Sequence, residues 1–243
     1  MQPKPTVFLS ASWNYLAMMN YEVDPSVLTP YLPAGVELDT WNDKYFISVV
    51  GFLFLDTRVK GIRVPFHQNF EEVNLRFYVR RKVGDEVRRG VVFVKEIVPK
   101  SAIAWVAKTV YNENYAAHRM EHDVHPPENG VGVAGYRWHH AGNWNHIEVK
   151  FTGPHALPEP GSEAEFITEH YWGYAAQPDG STVEYEVRHP QWFVWNATEA
   201  SLQCDVPANY GEAFVPALNA TPHSAFVALG SKVAVLTGKG IPT

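Results

Sequence analysis

The sequence predicts a mostly-β protein of the α+β class, folded as an antiparallel barrel. Two observations carry this. Turn signals at Gly84-Asp85, Ala141-Gly142-Asn143 and Pro178-Asp179-Gly180 each separate two runs rich in β-branched and aromatic residues, the pattern of successive β-hairpins. Helical signals are few, and many hairpins with few helices imply a closed or nearly closed sheet.

Residues 20–35 read as a short capped helix: Asp24 is a suitable N-cap, Pro25 suits the first turn, and Pro33 and Gly35 end it. A strand-like GVELDT and a turn at residues 41–44 follow, then the long apolar run YFISVVGFLFLDTRV. Residues 70–98 form a hairpin around Gly84-Asp85, with Val73, Leu75, Phe77 and Val79 on one face and Asn74, Arg76 and Tyr78 on the other. Ser101 can cap a helix to about residue 111, with Ile103, Val106, Ala107 and Val110 as its apolar stripe. Tyr115 is placed on the turn beyond it, with His118 three residues on. From about residue 131 the pattern returns to hairpins, FITEHYWGYAA reads as a strand, and two short strands close the chain near 225–229 and 232–236.

With 243 residues, 46% hydrophobic and 19% charged, the chain can bury a substantial core, as one large β domain or two small ones. Its aromatic content of 14% can fill a wide barrel or line an apolar cavity. A net charge of −6 argues against a nucleic-acid surface. No run approaches a membrane span of about 20 apolar residues, and no secretion signal is visible, so no membrane partner and a cytoplasmic location are expected.

Several chemistries lack their signatures. The single cysteine, Cys204, forms no intramolecular disulfide and no cysteine zinc cluster. His118 and His122 are four apart, but no Glu follows the first, and Pro126-Pro127 breaks any helix nearby, so no metal site is expected. Neither a nucleophile elbow nor a Gly-rich phosphate loop occurs, and no cofactor is expected. Lys95, Lys100 and Lys108 each lack an adjacent lysine that would lower the pKa for Schiff-base chemistry.

Four segments carry a family resemblance. The opening WNYLAMMNYEVDPSVLTPYLPAGVELDT, then NFEEVNLRFYVRR, then the helical stretch into NENYAAHRM, and last FITEHYWGYAA through VRHPQW resemble, in that order, a bacterial domain family of unknown function, the YqjF-like group. That group is placed in the acetoacetate decarboxylase-like superfamily. The resemblance spans nearly the whole chain and implies one domain, residues 1–243: an antiparallel β-barrel or cone around an internal cavity, with a few flanking helices. The decarboxylases carry a Schiff-base lysine and a second lysine where this chain has Tyr115 and Ala116. Their acidic residue falls near Asn74 and their substrate-binding arginine near Asn14. The resemblance therefore implies the fold without imine-forming decarboxylation.

By analogy with the decarboxylases' cavity strand, the face of Asn74, Arg76 and Tyr78 points inward. Arg76 suits a carboxylate, and Tyr115 suits a carbonyl oxygen as donor or general acid. Glu169 and Tyr171 are expected on one strand face, with Glu169 as the partner of Arg76. His189 is the group expected to titrate near pH 7. Trp13, Asn14, His118 and Trp192 complete the expected lining. Two functions follow: an acid–base enzyme, lyase-like or hydrolase-like, acting on a small oxo-acid or related carbonyl compound; or a non-catalytic barrel binding a small ligand. A homo-oligomer remains open.

Overall fold

The computed structural model describes residues 6–100, 112–127 and 130–241. The helix expected over 101–111, with Lys108, lies outside them. The strands run β1 (Val7–Glu22), β2 (Glu37–Leu38), β3 (Phe46–Val59), β4 (Ile62–Arg63), β5 (Phe70–Val83), β6 (Glu86–Val98), β7 (Tyr115–Ala117), β8 (Met120–His125), β9 (Gly132–His140), β10 (Asn143–Phe151), β11 (Trp172–Ala176), β12 (Thr182–Arg188), β13 (Val194–Gln203), β14 (Ser224–Leu236) and β15 (Lys239–Ile241). Short helices α1 (Pro25–Leu28), α2 (Glu163–Thr168), α3 (Val206–Tyr210) and α4 (Val215–Leu218) lie between them.

The strands β12-β11-β6-β5-β3-β1-β14 are neighbours in that order, and Val187 of β12 pairs with Val235 of β14. The sequence therefore closes into a ring. From β14 the sheet continues through β13, β10, β9 and β8. This second part lays Tyr136, Trp138, Ile147, Val149 and Phe151 over the outer face of the ring, against Met19, Ile47, Val49, Val73, Leu75 and Phe77. The middle strands β3 and β5 are thus buried on both faces, which is why their sequences read as near-continuous apolar runs rather than as clean alternation.

The turns form where their residues predict. Gly84, Gly142 and Gly180 take positive φ at the hairpin tips, and Asn42 and Asp43 do so between the bridged Trp41 and Lys44. Other expectations need correction. The sheet is mixed, because β11 and β7 both pair with β6 in parallel. Residues 20–22 still belong to β1, and the helix is a single turn whose Asp24 accepts from the Ser26 amide at 2.8 Å. Residues 166–168 of the expected strand belong to α2: Ser162 accepts from the Glu165 amide at 3.2 Å, so Ser162-x-x-Glu165 is a helix start that outweighs the β-branched residues behind it. The two tail strands are one, β14. Tyr115 sits on a strand, not a turn.

Bulges control what enters the ring. On β1, Ala11 and Trp13 face in, then Leu16 and Met18 do, because Tyr15 takes φ 53° and shifts the parity by one residue. On β3, Phe52 and Phe54 face in, then Thr57 and Val59, across Asp56 at φ 53°. On β6, Phe93 and Glu96 both face in across a register shift.

Gly230, at φ 81°, lies opposite this first bulge, and a Cβ there would collide with the Trp13 carbonyl. Gly230→Ala should lower stability by about 2–4 kcal/mol, the range for backbone strain plus a steric clash, read as a drop in the thermal unfolding midpoint.

Candidate active site

The ring encloses a cavity of about 200 Å³. Its lining divides in two. One part is apolar and aromatic: Trp13, Phe52, Phe54, Phe70, Phe93 and Trp192. The rings touch edge to face or stacked, with centroids 5.3 Å apart for Trp13–Phe52 and 4.6 Å for Phe54–Phe70. The other part is polar. The inner face of β5 supplies Glu72, Asn74 and Arg76, β6 supplies Glu96, the start of β7 and the residues before it supply Tyr115 and Glu113, the end of α2 supplies Thr168, the chain after it His170, and β12 supplies Tyr185.

Three carboxyls meet here with two phenols. Glu72 accepts from Asn74 Nδ2 at 3.0 Å and from the Tyr115 hydroxyl at 3.3 Å. The Tyr185 hydroxyl donates to Glu113. Glu96 pairs in register with Tyr115 and is 2% exposed, as is Glu72. Burial pushes all three carboxyls above the ordinary carboxylate range, and Glu96 is raised further by the charges of Glu113 and Glu72. Burial and the same carboxylates raise the Tyr115 phenol, so Tyr115 keeps its proton. The three carboxyls therefore hold their protons to higher pH than exposed glutamates do.

Arg76 stands beside them, 8% exposed. Its Nη2 donates to the Ile167 carbonyl at 3.2 Å, and its Nε has no protein partner. Among the described residues no carboxylate lies within ion-pair distance of it, in contrast to Arg89, whose Nε meets Asp39 at 2.7 Å. Burial raises Asp39, but His170 and Arg89 pull it back, to about 2. Burial holds His170 down to about 4, so it is a neutral ring at pH 7, with its Nε2 3.7 Å from Asp39 and its Nδ1 without a partner.

The expected site residues distribute unevenly. Trp13, Asn74, Arg76, Tyr115, His189 and Trp192 line the cavity. His189 stacks on Trp192 at 4.1 Å, and burial lowers its pKa from the ordinary imidazole value. Tyr78 lies inside the ring but is covered by Phe166 and His170, and its hydroxyl bonds Ser48 at 2.5 Å. Glu169 is the residue that ends α2; it accepts from the Tyr171 hydroxyl and does not pair with Arg76, and neither residue lines the cavity. Asn14 falls on the far side of β1, where its side chain accepts from Ser12 at 2.8 Å. His118 packs on His140 at 4.4 Å, also away from the cavity, and burial holds it down to about 4.

The sequence reading missed Glu72, Glu96, Glu113 and His170. Glu72 was within reach, since it is two residues before Asn74 on the same face. Glu96 was hidden by the β6 bulge. Among the described residues no group of three or more His, Cys, Asp or Glu is placed to hold a metal, and no helix is long and apolar enough to cross a membrane.

A ring of strands around a cavity of this kind is the acetoacetate decarboxylase-like fold. The structure is similar to an acetoacetate decarboxylase-like enzyme from Sphingomonas wittichii RW1, with TM-score 0.67 and 14% identity over 98% of this chain and 94% of that one. It is similar to the enduracididine biosynthesis enzyme MppR complexed with pyruvate, with TM-score 0.67 and 14% identity over 99% and 91%. It also resembles acetoacetate decarboxylase from Legionella pneumophila, with TM-score 0.65 and 12% identity over 99% and 90%. At these identities the likeness is one of fold. The uncharacterized protein YqjF of Bacillus subtilis (strain 168) is 36% identical over 72 residues, 29% of this chain and 30% of that protein. The chain belongs to the DUF2071 family, described as an uncharacterized conserved protein, which it matches over residues 10–233.

The raised carboxyls have a stability consequence. A carboxyl whose folded pKa exceeds its unfolded value near 4.5 favours the folded state below that value and loses this contribution as pH rises through the folded pKa. Glu96→Gln removes the penalty of ionising a buried acid. It should raise stability at pH 8.5 by roughly 1–3 kcal/mol and change it little at pH 4.5, read by urea unfolding at the two pH values.

Proposed function

We propose that this protein is an acid–base enzyme acting on a small oxo-acid or related carbonyl compound, lyase-like or hydrolase-like, without a covalent imine. The observation that carries this reading is Arg76: a buried guanidinium facing a cavity, with no carboxylate partner among the described residues, beside three carboxyls that burial keeps protonated to higher pH. An unpaired buried cation is costly, and a ligand carboxylate offsets that cost through paired, charge-assisted hydrogen bonds. Tyr115, which keeps its proton, donates to the carbonyl oxygen as charge develops there. Glu72 or Glu113, each raised toward neutrality by burial, then takes and returns the proton on the adjacent carbon.

Among the described residues, no lysine lines the cavity. Lys95 points away, donating to the Asn209 carbonyl at 2.9 Å, and Lys100 donates to the Phe66 carbonyl. This supports proton transfer without a Schiff base. That MppR is described with pyruvate, and with the condensation product of pyruvate and imidazole 4-carboxaldehyde, agrees with an oxo-acid as the ligand class. The aromatic half of the lining favours a second reading, a non-catalytic barrel that holds a small carboxylated ligand.

Two measurements test the proposal. Incubation with a panel of β-keto acids and borohydride should leave the protein mass unchanged; a trapped adduct would sink the imine-free mechanism. Arg76→Ala should lower turnover of a β-keto acid on the panel by roughly 10²-fold or more, the loss expected when a charge-assisted anchor is removed, with the fold intact by circular dichroism. Unchanged turnover removes Arg76 from the site. Binding without turnover of any member selects the second reading.

A further inference from the structure

Among the described residues, nine buried side-chain polar atoms lack a hydrogen-bond partner in the protein, and seven of them cluster. Those seven, on Trp13, Thr57, Asn74, Arg76, Glu96 and His170, belong to residues lining the cavity, whereas His118 Nε2 and the Tyr210 hydroxyl lie away from it. Buried polar groups in folded proteins are almost always bonded, so such a concentration marks where bonding is supplied by something other than the chain. Four of the six residues belong to the polar part already assigned to the oxo-acid head. Trp13 Nε1 and Thr57 Oγ1 do not.

These two atoms belong to the aromatic part. Trp13 pairs in register with Phe54 of β3, and its ring contacts Phe52, Phe54 and Trp192. Thr57 lies three residues beyond Phe54 on the same strand, 6% exposed, and the Asp56 bulge turns it inward with Phe54. Without that bulge the side chain of residue 57 would face out of the ring. The indole N–H donates only, and the threonine hydroxyl donates or accepts. Neither is needed to hold the wall, because the rings around them pack by apolar contact. The chain therefore places two hydrogen-bonding atoms in surroundings that are otherwise apolar.

We propose that Trp13 and Thr57 form a specificity subsite that reads a hydrogen-bond acceptor at the distal end of the ligand. The ligand class is an oxo-acid with an aromatic or flat apolar body, and a hydroxyl or carbonyl oxygen at the end opposite its carboxylate. This rests on the reading of Arg76 as the carboxylate anchor. The cavity volume of about 200 Å³ is of the order that one small flat body fills at interior packing density. The aromatic lining selects the flat body, and Trp13 Nε1–H selects the oxygen, since an apolar end would leave that donor unbonded.

Titration calorimetry with pyruvate, phenylpyruvate and 4-hydroxyphenylpyruvate tests this, using the full chain. The 4-hydroxy acid should bind about tenfold tighter than phenylpyruvate, the difference expected of one buried hydrogen bond. Trp13→Phe and Thr57→Val should each reduce that advantage, read as the ratio of the two aryl-acid affinities measured on the same variant. Equal affinity of the two aryl acids for the unaltered protein overturns the subsite without any variant. So does an advantage that persists in both variants. If pyruvate binds and the aryl acids do not, the subsite is wrong and the Arg76 reading stands, provided Arg76→Ala abolishes pyruvate binding. If no oxo-acid binds, both fail together.

Discussion

The backbone pairing of β12 with β14 brings Val187 to Val235 and joins the two edges of a twisted sheet into a ring. Without it, the inner faces of seven strands would have no common interior. Glu72 on β5, Tyr185 on β12 and Trp13 on β1 would then belong to an open surface. Closure alone would leave the outer face of β1, β3 and β5 wet. The second part of the sheet covers that face with Tyr136, Trp138 and Phe151, so the middle strands are buried on both sides. With this double burial, the apolar contacts that define the ring come from outside the cavity as well as from within.

Burial governs the chemistry of the groups that line the interior. Removing carboxyls from water disfavours their charged form, so Glu72, Glu96 and Glu113 hold protons at pH values where exposed glutamates do not. The same burial acts oppositely on His170 and His189, which are kept neutral. Asp39 escapes the trend through Arg89, at 2.7 Å, and His170, at 3.7 Å. Arg81 and Arg88 both find Glu184. Arg76 has no such partner among the described residues, although three carboxyls line the same cavity. That asymmetry, a buried cation without a carboxylate partner among the described residues beside acids that burial keeps protonated, gives the site its chemical character.

Bulges link the backbone to this chemistry. Each of the bulges on β1, β3 and β6 exchanges the inward and outward sets of side chains partway along a strand. The one on β6 brings Glu96 in behind Phe93, and the one on β3 brings Thr57 in behind Phe54. A ring of regular strands would present one parity throughout, and these groups would lie outside it.

Read alone, the sequence determined the mostly-β class, the hairpins at Gly84, Gly142 and Gly180, and the inward and outward faces of residues 73–79. These follow from local rules: turn residues that tolerate positive φ, and a side-chain period of two in unbroken strand. The same rules made Arg76 and Trp13 legible as lining residues, together with the family resemblance that pointed the strand inward. They did not reach Glu96 or Thr57, because a bulge adds one residue with no fixed signature, and every assignment beyond it inverts. They did not reach Glu113 or His170, which lie outside regular strand, or the misplaced pairing of Arg76 with Glu169, where a capped helical turn replaced the strand that the pairing required. Only the tertiary structure decided which polar groups share the cavity and which find partners elsewhere. That depends on ring closure between residues far apart in the chain, and on the burial it imposes.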